Sequence, residues 1–376
     1  MRTAIVSDLH LGGYVGEDLL RDAAIRRTLL EEVGSAEQVV LLGDVLELRE
    51  LPLARVLEIA RPFFEELGEA MGGGEVLLVP GNHDHRLAEP LLEGVALSPQ
   101  PALGLEHRQR PAMEATVRMD GWLGETELCV AYPGAWLRHD VYVTHGHYMD
   151  CHMSLPRLEC VAAAAVMRVG KGPPDPATPD DYERVLRPVY GLAFGLAQSG
   201  LSPGKSRPSE RAWRSLSGRH RVSGRARRAA ARAAVATGVP AGVWAVNRLL
   251  KADFDADLSA GAITRSGIDA ATELARRVGV DGAHVITGHT HRAGPREDEA
   301  EWTLPGGGRL HNTGSWVFAS AFHHPGTPPG PYWPGTVTWV EDEGPPRRVQ
   351  LLTGHTRDDL RATVGRGLGG SPRLNG

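Results

Sequence analysis

Gln38-Val-Val-Leu-Leu-Gly-Asp-Val-Leu-Glu47 holds an unbroken aliphatic run that halts at a Gly-Asp step. So short a run, without polar alternation, reads as a strand buried on both faces, as in a parallel sheet. The same grammar extends to either side. Upstream, Thr3–Ser7 is β-prone and ends in Asp8-Leu-His10, and Glu17–Val33 carries helical spacing of Leu, Ile and Val. Downstream, Leu53–Met71 reads as a helix with Pro52 suited to its first turn, and Glu75–Val79 is a further apolar run ending in Pro80-Gly-Asn-His-Asp84. Strand, loop and helix in repetition predict an α/β core with parallel strands.

Farther along, Glu127–Tyr132 and Asp140–Thr144 read as strands joined by a hairpin at Pro133-Gly134. The second ends in His145-Gly-His147. Ala283–Thr287 is another strand, ending in Gly288-His-Thr-His291, and Arg309–Val317, Thr336–Val340 and Arg348–Leu352 read as closing strands. Residues 151–280 break the pattern. They are rich in Ala, Arg, Leu and Val, with helices expected at Ala162–Arg168, Tyr182–Leu196 and Arg225–Leu250 and a Pro/Asp-rich connector at Lys171–Asp181. The expected organisation is a core of residues 1–150 and 281–355, a helical cap or lid insertion over 151–280, and a frayed tail over 356–376.

The chain has 376 residues, 41% hydrophobic and 23% charged, with a formal net charge of −5. A net negative molecule has no overall cationic field for nucleic acid. Three cysteines, Cys129, Cys151 and Cys160, offer neither a disulfide framework nor zinc-ribbon spacing, and point to a reducing compartment. The chain opens on a strand without a signal-like leader, and no long apolar stretch suggests a membrane span. A cytoplasmic protein is expected. The composition leaves its oligomeric state open.

Five strand ends deliver residues of metal-ligand type: Asp8-x-His10, Gly43-Asp44-x-x-Glu47, Gly81-Asn-His-Asp84, His145-Gly-His147 and Gly288-His-x-His291. In extended backbone, residues two apart share a face, so Asp8 would align with His10 and His289 with His291. Open α/β sheets place their sites at carboxyl strand ends. Oxygen and imidazole ligands without thiolate suit divalent manganese, iron or zinc.

In this order the motifs resemble those of the calcineurin-like metallophosphoesterase superfamily, with Glu47 in place of the usual second Asp. The resemblance implies a four-layer α/β/β/α sandwich of two mixed sheets flanked by helices. It also implies a hydrolase that cleaves a phosphoester or pyrophosphate bond by attack of a metal-bridging hydroxide. Two divalent ions are implied, manganese first, with iron and zinc as alternatives. One ion would be held by Asp8, His10, Asp44 and His291. The other would be held by Asp44, Asn82, His145 and His289, with Asp44 bridging. His83 would stand over the leaving-group oxygen, with Asp84 orienting its ring. The Asp8-x-His10-x-Gly12 start, Gly288-His-Thr-His-Arg292 and the insertion after His145 look most like the UDP-2,3-diacylglucosamine pyrophosphatase branch. The insertion here is longer, His147 replaces that branch's Asp, and His83 stands where it often has Arg. A lipid-linked nucleotide pyrophosphatase, a cyclic-nucleotide or other phosphodiesterase, and a fold that has lost its chemistry are the competing readings.

Other residues carry two readings each. Glu47 supports a ligand, or forms a surface salt bridge. His147 contacts substrate or a ligand, or simply packs. Arg86 binds phosphate or carboxylate, or is an ordinary surface arginine. Lys205–Arg232 holds ten Lys/Arg against one acid, Glu210, and leads into the apolar Ala233–Leu250. It reads either as a solvated helical face or as a basic lid for an anionic, partly apolar ligand or an acidic membrane surface. The expected partner is therefore a phosphate-containing small molecule or lipid-linked substrate, with peripheral membrane contact through the cap. Nucleic acid ranks behind these, because no aromatic-basic interleaving supports it.

Overall fold

The computed structural model describes residues 1–13, 17–199, 238, 240–319, 323 and 329–369. The basic segment Lys205–Arg232 and the first part of the helix expected over Arg225–Leu250 lie outside the described residues; residues 240–250 are helical.

The first strands are β1 (Thr3–Val6), β2 (Gln38–Leu42) and β3 (Glu75–Val79), parallel neighbours in that order. Parallel neighbours require crossovers, and α1 (Ala23–Val33) and α2 (Leu53–Met71) supply them. Asp22 caps α1 by accepting from the amides of Ala24 and Ile25. Helix α2 buries Val56, Leu57, Ala60, Phe63, Phe64 and Leu67, a stripe with helical period, and ends at Gly72 in the left-handed region at φ 61°.

After α3 (Glu89–Ala96), β4 (Glu106–Gln109) and α4 (Glu114–Trp122) comes the long strand β5 (Glu127–Arg138). Its first half runs parallel to β3 and antiparallel to β4. Its second half pairs antiparallel with β6 (Val141–Thr144). Then β7 (His284–Thr287) and β9 (Arg309–Asn312) continue in parallel, with β8 (Trp302–Thr303) at the edge. Strands β10 (Thr336–Val340) and β11 (Arg347–Gln350) flank β1 on the far side, both in antiparallel pairings. The result is one large mixed sheet with helices. The strand order is β11-β10-β1-β2-β3-β5-β6-β7-β9-β8, with β4 on β5.

This corrects one expectation. Pro133-Gly134 is not a hairpin turn: β5 runs through it, and the reversal comes at His139-Asp140. Pro133 is the last residue opposite β4, and Gly134 is the first opposite β6. A residue without an N–H is tolerated where a strand exchanges one set of partners for another. Because β5 serves both sets, the expected two sheets are joined into one hydrogen-bonded path.

Side chains alternate across β2. Val39 and Leu41 join the cluster under α1, α2 and α4. Val40 and Leu42 join a second cluster with Ile5, Leu77 and Val79 on one side and Ala135, Val141, Val143 and Ile286 of β5–β7 on the other. A third cluster lies beneath α5 (Leu158–Val169), α6 (Pro179–Gln198) and α8 (Ala260–Val278), with α7 denoting residues 240–250. The expected frayed tail begins instead as a helix, α9 (Arg357–Gly369), whose Leu360 is wholly buried against the first cluster. No helix among the described residues is long and apolar enough to cross a membrane.

Candidate metal centre

Asp8 follows β1, Asp44 follows β2, Asn82 follows β3, His145 follows β6 and His289 follows β7, so five strand ends meet at one place. Extended backbone is not what aligns them. Asp8, His10, Asp44, His289 and His291 are not extended; all have positive φ, between 45° and 66°. Non-glycine residues rarely adopt that region, and strain of this kind collects at functional sites. Two glycines of the motifs are explained by crowding. A Cβ on Gly43 would lie 2.3 Å from His145 Cγ, and one on Gly288 would lie 2.5 Å from Asp8 Oδ2.

Both aspartates are held by one oxygen and aim the other. Asp8 Oδ2 accepts from Ser7 Oγ at 2.6 Å and from the His289 amide at 3.1 Å. Its Oδ1, fully buried and without a hydrogen-bond partner among the described residues, lies 3.2 Å from His291 Nε2. Asp44 Oδ1 accepts from the His83 amide at 2.8 Å, while Oδ2 lies 3.3 Å from His145 Nε2 and 3.7 Å from His10 Nε2. Asp44 thus reaches both histidine groups.

The imidazoles follow the same logic. His10 Nδ1–H donates to Glu47 Oε2 at 3.0 Å, His145 Nδ1–H to the Leu42 carbonyl at 3.0 Å, and His289 Nε2–H to Asp150 Oδ1 at 2.9 Å. In each neutral ring the donation fixes the tautomer and leaves the other nitrogen as a lone pair facing the centre. His10 Nε2 and His291 Nε2 then face each other at 3.2 Å. Asn82 Oδ1 lies 3.2 Å from both His145 Nε2 and His289 Nδ1. Without a cation, Asn82 gains by rotating its amide, which would let its NH2 donate to His145, His289 and Asp44. With a cation among those atoms, the orientation seen here is the favourable one. The orphaned Asp8 oxygen and the converging lone pairs therefore fit bound metal.

Two groups of three satisfy ligand spacing and match the expected sets: Asp8, His10 and His291, and Asp44, His145 and His289. A third group adds His83 to His10 and Asp44, so His83 also stands within ligand range. Burial pushes the Asp44 carboxyl up, but His145, His83 and His10 outweigh it and hold it well below the usual range. Burial pushes His145 down, and Asp44 outweighs that and lifts it to about 10. Without a cation, that proton sits on the nitrogen facing Asp44 as the positive charge the carboxylates call for; a bound cation would take its place and leave the lone pair. With two carboxylates, imidazoles, one amide oxygen and no thiolate, the donor set suits a divalent first-row ion.

Around this centre the structure redistributes roles. Asp84 does not touch the His83 ring. Its wholly buried carboxylate accepts from the amides of Gly81, Asp44, Val45 and Leu46 at 2.7–3.2 Å, pinning two ligand loops together. Glu47 holds His83 instead, Oε2 to Nδ1 at 2.8 Å, as well as His10, and it is fully buried rather than at the surface. Arg86 is exposed and lies over Phe194. His147 is buried and meets Tyr132 Oη at 3.0 Å through Nε2.

Arg49, which the motifs did not single out, stands at the centre. Its Nη1 lies 3.4 Å from His83 Nε2 and 3.2 Å from Glu159 Oε1 of α5, and its guanidinium covers Tyr190 of α6. Its only signal is a basic residue two positions past Glu47. Glu159 and Tyr190 sit in helices without any local motif.

No curated protein matches the chain. Residues 1–170, which carry the first four motif loops but not Gly288–His291, match the calcineurin-like phosphoesterase superfamily domain, and that match implies a metal-dependent phosphoester hydrolase.

Proposed function

We propose that the chain hydrolyses a phosphoester or pyrophosphate bond at a centre of two divalent cations. One would be held by Asp8, His10, Asp44 and His291, the other by Asp44, Asn82, His145 and His289. Manganese is the first choice, with iron and zinc as alternatives. Bound there, the cations would supply Lewis acidity toward phosphoryl oxygens. The observation that carries the reading is the Asn82 amide. With the histidines neutral its oxygen faces only lone pairs, and its nitrogen lies 3.0 Å from Arg49 Nη2 and 3.2 Å from Nη1, donor against donor. The first contact calls for a cation and the second for an anion, and a metal-bound phosphate ester is both at once.

Arg49 and the Asn82 NH2 would take the phosphoryl oxygens. His83, held by Glu47, would face the leaving group. The strands would form a four-layer α/β/β/α sandwich folded at β5, a reading supported by the apolar cluster shared between β1–β3 and β5–β7. Residues 151–280 would be the cap, since Glu159 and Tyr190 reach Arg49 from it. The UDP-2,3-diacylglucosamine pyrophosphatase-like substrate is the narrower form of this reading, with a cytoplasmic location and the basic segment meeting a lipid-linked substrate or membrane surface.

The test is a manganese-supplemented hydrolysis screen of phosphomonoesters, diesters, nucleotide diphosphates and lipid-linked pyrophosphates, read by phosphate or nucleotide release. One class should be turned over and the activity lost to chelator. A protein inert toward all four classes with each of the three metals would refute the proposal.

A further inference from the structure

Beside the His145/His289 group lies a buried patch of polar atoms that the metal centre does not use. Tyr132 Oη donates to Glu183 Oε1, and the same carboxylate accepts from Tyr148 Oη at 2.7 Å and from His85 Nε2 at 3.0 Å. With its one proton committed to Glu183, Tyr132 Oη must accept from His147 Nε2–H at 3.0 Å. His147 Nδ1 is therefore a bare lone pair, and it has no hydrogen-bond partner among the described residues.

Around it, Tyr190 Oη, Asp150 Oδ2 and Arg49 Nε are buried in the same condition among the described residues. His147, Asp150 and Tyr190 are each at least nine-tenths buried. They also belong together. His147 and Asp150 are three apart in one 3-10 turn, His147–Cys151, where such side chains share a side. The Tyr190 ring lies 5.5 Å from the His147 ring, and the Arg49 guanidinium carbon lies 5.4 Å over it. The His147 ring is in turn 5.7 Å from the His145 ring.

The set is mixed. Tyr190 Oη–H and Arg49 Nε–H donate, while His147 Nδ1 and Asp150 Oδ2 accept. A phosphate oxygen can only accept and would be repelled by two of the four. A hydroxyl group both donates and accepts, and satisfies both kinds of atom. We propose that His147, Asp150, Tyr190 and Arg49 form a hydroxyl-binding subsite next to the metal centre, selecting phosphate esters of polyhydroxylated alcohols. Unmet hydrogen-bonding groups in a buried site penalise the analogue that lacks the hydroxyl, which is how such a subsite discriminates. The inference rests on the phosphoesterase reading above.

The test is calorimetric binding to manganese-loaded full-length protein, using inorganic phosphate, glycerol phosphate and propyl phosphate. The last two differ only in hydroxyls. Glycerol phosphate should bind at least about tenfold more tightly than propyl phosphate, and Tyr190→Phe should reduce that ratio to below about threefold, because a hydrogen bond to a buried site accounts for a factor of this order. Equal affinity for the two esters would overturn the subsite and assign the patch to water. So would a ratio unchanged in Tyr190→Phe. Failure of inorganic phosphate itself to bind would instead count against the phosphoesterase reading.

Discussion

At the scale of single residues, Glu47 is the side chain on which most depends. One buried carboxylate fixes His10, expected on the first metal, and His83, expected at the leaving group. Glu47→Gln keeps the shape but removes the charge and replaces one acceptor oxygen with a donor, so the hydrogen bonds from His10, His83 and the Arg49 amide can no longer all be made. Such partners of metal-binding histidines typically change affinity or activity by about 10–100-fold. We expect a loss of that size in manganese affinity, measured by competition with a metallochromic indicator, and a fall in turnover with it. Unchanged affinity and turnover would return Glu47 to a merely structural part. The meeting of these side chains was largely legible in advance, because each motif is local: seven side chains expected as ligands, from Asp8 to His291, do converge. Their backbone was not legible. Nothing in Asp8-Leu-His10 announces positive φ, which comes from loops forced to turn inward at strand ends.

At the scale of elements, α6 is tied to the core through Glu183. Burial pushes this carboxyl up, but His85 outweighs it, with the hydroxyls of Tyr132 and Tyr148, and the net direction is downward from 4.5. A group depressed on folding contributes stability that is fully present above its unfolded value and is lost as pH falls through the folded one. Glu183→Gln should therefore cost about 1–3 kcal/mol near neutral pH, the range for leaving buried partners unsatisfied. In urea melts the gap to wild type should narrow as pH drops below about 4.5. A gap independent of pH would show that the charge of Glu183 is not what holds α6.

Elements bounded by Gly or Pro, such as β2, α2 and β3, have the residue limits expected from their sequences. Pro133-Gly134 was misread because local grammar cannot tell a turn from a strand that changes partners. That distinction is made by β4 and β6, which are distant in sequence from the first half of β5 or follow its end. Helix α8 and the docked start of α9 were also missed. The face that Ala260–Val278 buries is built mostly of small residues, Ala262, Ser266, Gly267, Ala270, Ala271 and Ala275 beside Leu274, so few large apolar side chains mark it in the sequence.

At the scale of the whole molecule, the two ends of the chain build one centre. Residues 1–170 match the superfamily domain, yet His289 and His291, more than a hundred residues beyond, complete both ligand groups. Between them, α5 and α6 bring Glu159 and Tyr190 to Arg49, so the segment least readable from sequence is the one that reaches Arg49 beside the ligand-spaced groups. That part was illegible because no motif encodes which helix face will meet a distant loop.

The most direct test of this account is nitrophenol release from nitrophenyl phosphate esters as manganese is added, with wild type and Asp44→Ala side by side. Asp44 is a carboxylate that reaches both histidine groups. The account predicts release that rises with manganese, disappears with chelator, and falls at least about a thousandfold in Asp44→Ala, in line with removal of a main electrostatic element of catalysis. Release at the wild-type rate by Asp44→Ala, or none from wild type with manganese, iron or zinc, would contradict it.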